Sequence, residues 1–364
     1  MERDTRRRRP EEPERRPAPQ RRRRNKRSPL SNSMLYIVMV CAVSIVLAAV
    51  GWSLANDMLA LNKDKVTATI VVDDENDFGS VVDQLKDNDI IKYKGLFRLF
   101  SALSGGSDKI AQGSYLVDTD MDYRAILNSL GSGSSSRVEV SVTIQEGLTV
   151  RQIFELLEKE GVSTVEKLND MAANHDYAFS FLEDIPLGDP NRLEGYLFPD
   201  TYNFYMGEDP KYVINKMLVN FDSKVDDSMR QKIADKGYTI QELLTVASMI
   251  EKETDGTDRT TIASVIYNRL NNPGAGTAGY LQVDATIRYV LPEGEIVSEE
   301  DYQTVNSPYN TYLNKGLPPG PIANPGLESI MAALNPESTN YYYYALGDDG
   351  VHHFFTPDSE HQAF

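Results

Sequence analysis

The chain has 364 residues, which is enough for two or three domains with a sizeable core, and its net charge of -17 is unevenly distributed. Residues 1–33 contain 13 Lys and Arg against 5 Asp and Glu, a net charge of +8, so the remainder carries -25. The only cysteine is Cys41, which excludes intrachain disulfides and zinc sites built from cysteine.

The N-terminal segment is rich in arginine, with runs of four at residues 6–9 and again at 21–24. Such runs can bind nucleic acid, but no base-reading motif accompanies them, so nucleic acid is not expected as a partner. The mixture of Pro, Arg and Glu is typical of a disordered tail. Beside a membrane, its positive charge would contact anionic lipid.

An uncharged stretch follows the tail. No charged residue occurs from Ser28 to Asn56, and Met34–Leu54 is apolar and long enough to cross a bilayer core of roughly 30 Å. A cleaved signal peptide would have a shorter apolar region and a small-residue cleavage site, whereas Trp52 suits an interfacial position at the end of a retained helix. The excess of arginine places the N-terminus in the cytoplasm and all residues after Asn56 on the other side.

Beyond a short polar linker, two segments have the same pattern. The first has a strand, Thr67–Val72, then Asp77 as the cap of a helix that ends near Ile90. The second begins 72 residues later, with a strand over Val140–Ile144, Thr149 as the cap and a helix that ends near Val162. Seven apolar positions match at this one offset, which predicts two similar strand–helix modules separated by the flexible G-S-G-S-S-S segment at 131–136.

The remainder of the chain indicates more helices than strands. Helix-like segments cover residues 164–175, 209–235, 239–254 and 259–271. The C-terminal part is richer in turns, and its tyrosine run at 341–344 suits a strand. The fold class predicted from this mixture is α+β.

The helix predicted over residues 239–254 contains a glutamate in an apolar position. Thr239 and Glu242 form a capping-box signature at its N-terminus. At about 100° per residue, Glu251 falls between Ile240 and Leu244 inside the apolar arc, whereas Glu253 falls outside it. A glutamate that faces a core must be protonated or paired, which points to proton transfer. The alternative is a charge at a fraying helix end near Gly256.

Two other patterns have weaker functional interpretations. Residues 274–279 match G-x-G-x-x-G, but they follow a helix instead of a strand, so a phosphate loop is not expected. The four histidines include the adjacent His352 and His353, which would point to opposite faces of a strand. Neither a metal nor another cofactor is therefore predicted.

Two aromatic segments are candidates for a sugar-binding cleft. Tyr309, Asn310 and Tyr312 precede a rigid loop at 316–322, and aromatic rings with nearby amides suit sugar rings. Glu194 and its aromatic neighbours surround a Gly/Pro break at 194–202. The first segment could equally be a packed turn with no ligand, and a buried aromatic turn is the default interpretation of the second.

Taken together, the motifs resemble the YceG-like family of endolytic murein (peptidoglycan) transglycosylases. The matching segments are E-G-L-T at 146–149, L-E-G-Y-L-F-P-D-T-Y at 193–202, A-S-M-I-E-K-E-T at 247–254, A-S-V-I-Y-N-R-L at 263–270, L-Q-V-D-A-T at 281–286, S-P-Y-N-T-Y at 307–312 and G-L-P-P-G-P-I-A-N-P-G at 316–326. The resemblance extends from about residue 66 to the C-terminus.

This resemblance implies an architecture of LysM-like modules before a catalytic domain. We expect a tail at 1–33, a membrane helix at 34–55, a first module at 56–136, a second module at 137–205 and a catalytic domain at 206–364. It also implies that the chain resides in the cell membrane as a single-pass protein, with its catalytic domain outside the cytoplasm. Peptidoglycan glycan strands and the cell-wall synthesis machinery are the implied partners.

The resemblance assigns the catalytic acid to Glu251, the residue that the helical pattern also selects. Glu194, Gln282, Asp284, Tyr309, Asn310 and Tyr312 correspond to motif positions expected to bind substrate. Glu251 would protonate the glycosidic oxygen between N-acetylmuramic acid (MurNAc) and N-acetylglucosamine (GlcNAc). The resulting carboxylate would then accept the C6 hydroxyl proton of the muramic acid as the 1,6-anhydro ring closes, so that one carboxyl group serves both steps. A hydrolase that uses Asp284, Asp200 or Glu194 as its second carboxylate, or a wall-binding scaffold without activity, remains an alternative.

Overall fold

The computed structural model describes residues 29–364 except 74–76, 132–135, 255 and 257, and of residues 29–32 it describes the backbone. The arginine runs of the tail and most of the 131–136 connector lie outside the described residues. The chain divides after Ala55 into two units, the second of which is Asn56–Phe364.

The first helix, α1 (Pro29–Leu59), contains the predicted membrane span. Its segment Ser33–Leu59 has 27 residues, a mean hydropathy of 2.6 in its most apolar window, and no part of that window buried against protein. One N-terminal helix of this length and composition fits a single-pass membrane anchor.

The first module has a strand–helix–helix–strand order. Its helices are α2 (Phe78–Asp87) and α3 (Lys94–Ser104), and its strands are β1 (Thr67–Val72) and β2 (Gly113–Asp118). The strands pair antiparallel with Ile70 opposite Tyr115, and α4 (Tyr123–Ser129) follows. These elements enclose a core of their own that runs from Ala68 to Leu130.

The second module repeats this order. Strand β3 (Glu139–Thr143) is followed by α5 (Val150–Lys159), α6 (Val165–Asn174) and β4 (Thr201–Tyr205). The two strands pair antiparallel with Val142 opposite Tyr202. Asp77 and Thr149 cap α2 and α5 as predicted, because each side chain accepts a hydrogen bond from the backbone three residues later.

The remaining elements form a helical region with one hairpin. The helices are α7 (Pro210–Lys224), α8 (Asp227–Asp235), α9 (Ile240–Glu253), α10 (Arg259–Asn271), α11 (Asp284–Val290), α12 (Asp301–Thr304), α13 (Leu327–Leu334) and α14 (Asp358–His361). The hairpin pairs β5 (Tyr343–Leu346) antiparallel with β6 (His352–Phe355).

Helix α9 lies in the middle of the larger core, which extends from Val142 to Leu334 and includes the second module. Every residue from Leu243 to Ile250 is buried. The buried surface of α9 is thus wider than the predicted apolar arc, because two polar side chains form hydrogen bonds inside the core. Thr245 donates to the Gln241 carbonyl, and the Ser248 hydroxyl accepts from the Ile322 N–H.

Candidate active site

The last turn of α9 presents Glu251 at the edge of the core. At the other end of the helix, Thr239 accepts a hydrogen bond from the Glu242 N–H, and the Glu242 carboxylate accepts one from the Thr239 N–H. This capping box and the eight consecutive buried residues that follow fix the helix along its length. The Glu251 side chain is therefore held by a rigid element and is itself half-buried.

Three segments far apart in the sequence meet at Glu251. Its Oε2 accepts a hydrogen bond of 3.0 Å from the Gly326 N–H. Lys252 donates from Nζ to the Gly147 carbonyl at 3.1 Å, and the Gly147 N–H donates to the Asn324 carbonyl at 2.8 Å. The E-G-L-T segment, the end of α9 and the 316–326 segment thus form one local structure.

Glu146 is a second carboxyl group at this junction. A methyl group at Gly326 would overlap the Glu146 carboxyl, so that carboxyl lies directly against the residue that hydrogen-bonds Glu251. Partial burial and the neighbouring Glu251 charge raise the pKa of Glu146, while Arg259 opposes the shift. Sequence reasoning included Glu146 only as part of a motif. Its position immediately before Gly147 in the E-G-L-T segment was the available signal.

Two adjoining cavities, together called the α9 cleft below, extend from Glu251. The first has a volume of about 510 Å³ and is lined by Glu251, by Thr254, Gly256 and Asp258, and by residues of the β5–β6 hairpin. The second, of about 880 Å³, contains Gln282, Asp284 and Tyr312. Lys252, Glu253, Leu346 and His352 line both. The structure thus brings three of the predicted binding residues close to the Glu251 cavity.

The predicted residues in the second cavity are held in different ways. Gln282 is exposed and has a left-handed backbone with a φ of 50°, which is strained for a residue other than glycine. Asp284 accepts hydrogen bonds from the hydroxyls of Tyr302 at 3.0 Å and Tyr312 at 2.5 Å. The two tyrosine rings stack with centroids 4.3 Å apart. Asp284 and Tyr312 thus form a fixed polar wall.

Glu194 and Tyr309 line a third cavity, of about 350 Å³, with Tyr289 and Arg151. The Glu194 carboxyl is buried and accepts hydrogen bonds from the Val150 N–H, the Asn324 amide and the Tyr289 hydroxyl. Burial raises the pKa of Glu194 to about 8, although these three donors oppose the shift. Glu194 is consequently part of the network that fixes the Asn324 loop.

Asn310, predicted to bind substrate, is fully buried inside its own loop. Its amide donates to the carbonyls of Tyr302 and Val305, and its side-chain oxygen accepts from the Tyr312 N–H. A ligand in the α9 cleft could not reach these groups without opening the loop. The structure therefore gives Asn310 a role in holding the loop that carries Tyr312.

Glu253 is more enclosed than the helical pattern indicated. Its carboxylate accepts a hydrogen bond of 3.0 Å from the Tyr344 hydroxyl, and the Ala285 backbone also contacts it. Burial, with a contribution from Asp284, raises the pKa of Glu253. The helical pattern placed Glu253 outside the apolar arc of α9, and it could not show that the β5–β6 hairpin, whose Tyr344 is 91 residues further along the chain, contacts this side chain.

Histidines near the cleft have carboxylate partners. His352 Nδ1 lies 2.7 Å from Asp258 Oδ2, and His353 Nε2 lies 3.1 Å from Asp349 Oδ2. In the part of the chain that the structure describes, no three His, Cys, Asp or Glu side chains are grouped as metal ligands.

The fold and site define a class: an α+β protein with one N-terminal apolar helix and a cleft whose candidate reactive groups are carboxyls. The YceG-like family model matches residues 70–364. An endolytic murein transglycosylase of Bacillus subtilis is 32% identical over 308 residues, which cover 82% of this chain and 83% of that protein. The chain therefore belongs to the YceG-like family.

Two further relatives agree with this assignment. An endolytic murein transglycosylase of Streptococcus pneumoniae is 30% identical over 295 residues, and the match covers 75% of this chain and 53% of that protein. A YceG-like protein from Listeria monocytogenes, known from its crystal structure, shares 28% sequence identity with this chain, and the two structures superpose with a TM-score of 0.54. That similarity covers 82% of this chain and 99% of the Listeria chain.

Proposed function

We propose that this protein is an endolytic peptidoglycan transglycosylase that cleaves the MurNAc–GlcNAc bond and leaves 1,6-anhydro-MurNAc ends, thereby terminating or trimming nascent strands. The names of the relatives support the reaction class. The observation that carries the assignment to a site is the Glu251 carboxyl, which the end of α9 fixes in a cleft beside Gln282, Asp284 and Tyr312.

In this reaction Glu251 donates a proton to the glycosidic oxygen as the bond to the muramic acid anomeric carbon breaks. The C6 hydroxyl of the same sugar then attacks that carbon and closes the anhydro ring. In the simplest scheme, the Glu251 carboxylate accepts the hydroxyl proton. The Gly326 N–H stabilises the carboxylate that forms after proton donation, because it already donates to Oε2.

The α9 cleft offers groups suited to sugar recognition. Tyr312 and Tyr344 provide aromatic surface, and Gln282 provides an exposed amide on a strained backbone. Strain of this kind persists where the surroundings require a particular side-chain direction. We assign Gln282, Asp284 and Tyr312 to substrate binding in the α9 cleft. Glu194 and Tyr309 line the third cavity instead.

The membrane topology belongs to the same proposal. The apolar helix would anchor the protein in the cell membrane, with the arginine-rich N-terminus in the cytoplasm and residues after Asn56 facing the wall. The repeated strand–helix–helix–strand order supports LysM-like modules at 56–136 and 137–205 before a catalytic domain at 206–364. Partners in the wall-synthesis machinery would contact the protein on the outer side of the membrane.

Replacing Glu251 with Gln tests the assignment. We expect glycan cleavage to fall by about 100- to 10,000-fold, the usual contribution of a general acid. Stability should change little, because the amide keeps the shape of the acid and can still accept from Gly326. Mass spectrometry of digested glycan strands measures the products. The exposed Glu295→Gln variant is the matched control and should keep full activity.

A hydrolase is the second candidate, because the structure places a second carboxyl, Glu146, at the same junction as Glu251. Two carboxyl groups roughly 5 to 9.5 Å apart can activate water or form a covalent intermediate. Wild-type products with water added at their reducing ends, and without anhydro ends, would replace the transglycosylase proposal with this one.

A further inference from the structure

Glu146 has the features of a group available to a ligand. Although its carboxyl lies against Gly326, the residue is exposed, and none of the described residues donates a hydrogen bond to it. A carboxylate near a second carboxylate without protein donors is unfavourable. Carboxyl groups with perturbed pKa values cluster at functional sites.

The charged surroundings of Glu146 are mixed. Glu251 and Glu328 disfavour its ionised form, whereas Arg259 favours it. Arg259 is itself committed, because its Nη1 donates to Glu328 Oε2 at 2.9 Å and to the Gly256 carbonyl at 2.8 Å. Lys252 is directed to the Gly147 carbonyl instead. The pKa of the Glu146 carboxyl is therefore raised by its acidic neighbours and held down by Arg259, and its oxygens keep free acceptor capacity.

We propose that Glu146 is the second catalytic carboxyl group, the one that accepts the C6 hydroxyl proton of muramic acid while Glu251 supplies the proton to the leaving oxygen. The inference rests on the proposed transglycosylase activity. It assigns acid and base roles to two groups that border the same glycine, Gly326.

The step balances without water or any cofactor. The bond from the anomeric carbon to the leaving oxygen breaks as that oxygen takes the Glu251 proton. The C6 oxygen forms the new bond to the anomeric carbon and loses its proton to the Glu146 carboxylate. Glu146 is then protonated and Glu251 ionised, and one proton passed between these neighbours restores the starting state.

The experiment uses the full-length protein in detergent micelles with purified glycan strands as substrate. In Glu146→Gln we expect kcat to fall by about 100-fold or more, with KM changed by less than about threefold, because a base is lost while binding remains. Glu295→Gln is the matched control, because it removes an exposed acid that does not line the α9 cleft. We expect its kcat to stay within about twofold of wild type.

A chemical-rescue arm separates catalysis from misfolding. Formate added at neutral pH should raise the kcat of Glu146→Ala by about tenfold or more, because the added carboxylate can act as the base. It should not rescue Glu251→Ala, since ionised formate carries no proton to donate. Circular dichroism spectra and thermal midpoints of all variants establish that they are folded.

Each result bears on a particular proposal. The role of Glu146 is overturned if Glu146→Gln keeps its kcat within about threefold of wild type, or if it loses only substrate affinity. It is also overturned if formate does not rescue Glu146→Ala. The proposed function fails separately if Glu251→Gln remains active. Loss of activity in both glutamine variants, with rescue confined to Glu146→Ala, supports the two-carboxyl scheme.

Discussion

At the residue scale, the site depends on a glycine that the motif pattern does not distinguish from others. Gly326 has a φ of -73°, which any residue can adopt, so glycine is not required there for its backbone. It is required for space, because an added methyl group would overlap the Glu146 carboxyl. The close approach of Glu146 to the Glu251 hydrogen-bond donor therefore needs a residue without a side chain.

Replacing Gly326 with Ala should displace the Glu146 carboxyl while leaving the backbone conformation accessible. We expect cleavage activity to fall by about tenfold or more, since misplacing a reacting group by about 1 Å can cost 100-fold. The thermal midpoint should change little, because the exposed Glu146 side chain can rotate away. Gly274→Ala is the control, as a methyl group there meets no atom within 4 Å. Full activity in Gly326→Ala would show that the Glu146 contact is dispensable.

Residue-level patterns describe the local environment of a side chain. The helical pattern placed Glu251 at a special position, and the structure places it in a cleft next to Gln282 and Asp284. The helical pattern missed the enclosure of Glu253 and the approach of Glu146, since both depend on segments that are 91 and 105 positions away in the sequence. Periodicity describes the faces of one helix and carries no information on what covers them.

At the element scale, a capping box stabilises the N-terminus of α9, and the proposed catalytic residue, Glu251, lies in the last turn of the same helix. Thr239→Ala removes the hydroxyl that accepts from the Glu242 N–H, and should lower the free energy of unfolding by about 1 kcal/mol. The kcat of the folded variant should be unchanged, because Glu251 lies three turns away. Urea denaturation followed by circular dichroism measures the effect.

The matched control for this prediction is Thr239→Ser, which keeps the capping hydroxyl and should retain most of the stability. An alanine variant as stable as wild type would mean that water replaces the cap without cost. A variant with lower kcat at full folding would mean that the cap also affects the geometry of the last turn.

The sequence repeat predicted some elements of the two modules and missed others. Their leading strands and capped helices were predicted from one constant offset, and the strands β1 and β3 were located to within one residue. Their partner strands, β2 and β4, were missed. Each partner pairs across a gap of two helices, so its identity as a strand depends on long-range pairing.

At the scale of the whole molecule, Glu194 joins distant parts of the larger core. Its three donors come from the start of α5, from the Asn324 loop and from α11. Because burial raises its pKa to about 8 from an ordinary value of 4.5, the folded protein keeps a proton at neutral pH that the unfolded chain has lost. Its contribution to stability is complete below pH 4.5 and is lost as the pH rises to about 8.

Replacing Glu194 with Gln should remove this dependence, since the amide resembles the protonated acid and does not ionise. The free energy of unfolding of wild type relative to Glu194→Gln should decrease between pH 5 and 8. Chemical denaturation across this range measures the difference, and Glu295→Gln, which alters an exposed acid, should show a constant offset. A constant difference for Glu194→Gln as well would mean that the buried carboxyl is already ionised when folded.

The sequence by itself determined the charge division, the apolar N-terminal helix, the capped helices and the α+β class, because these follow from composition and from periodicity over a few turns. Its ordered motifs also identified the family. Only the tertiary structure decided that Glu146 lies beside Glu251, that Asn310 is enclosed in its loop, and that Glu194 and Tyr309 occupy a cavity of their own. These outcomes depend on contacts between segments up to 176 residues apart, and the pairing of such segments is fixed by packing of the whole core.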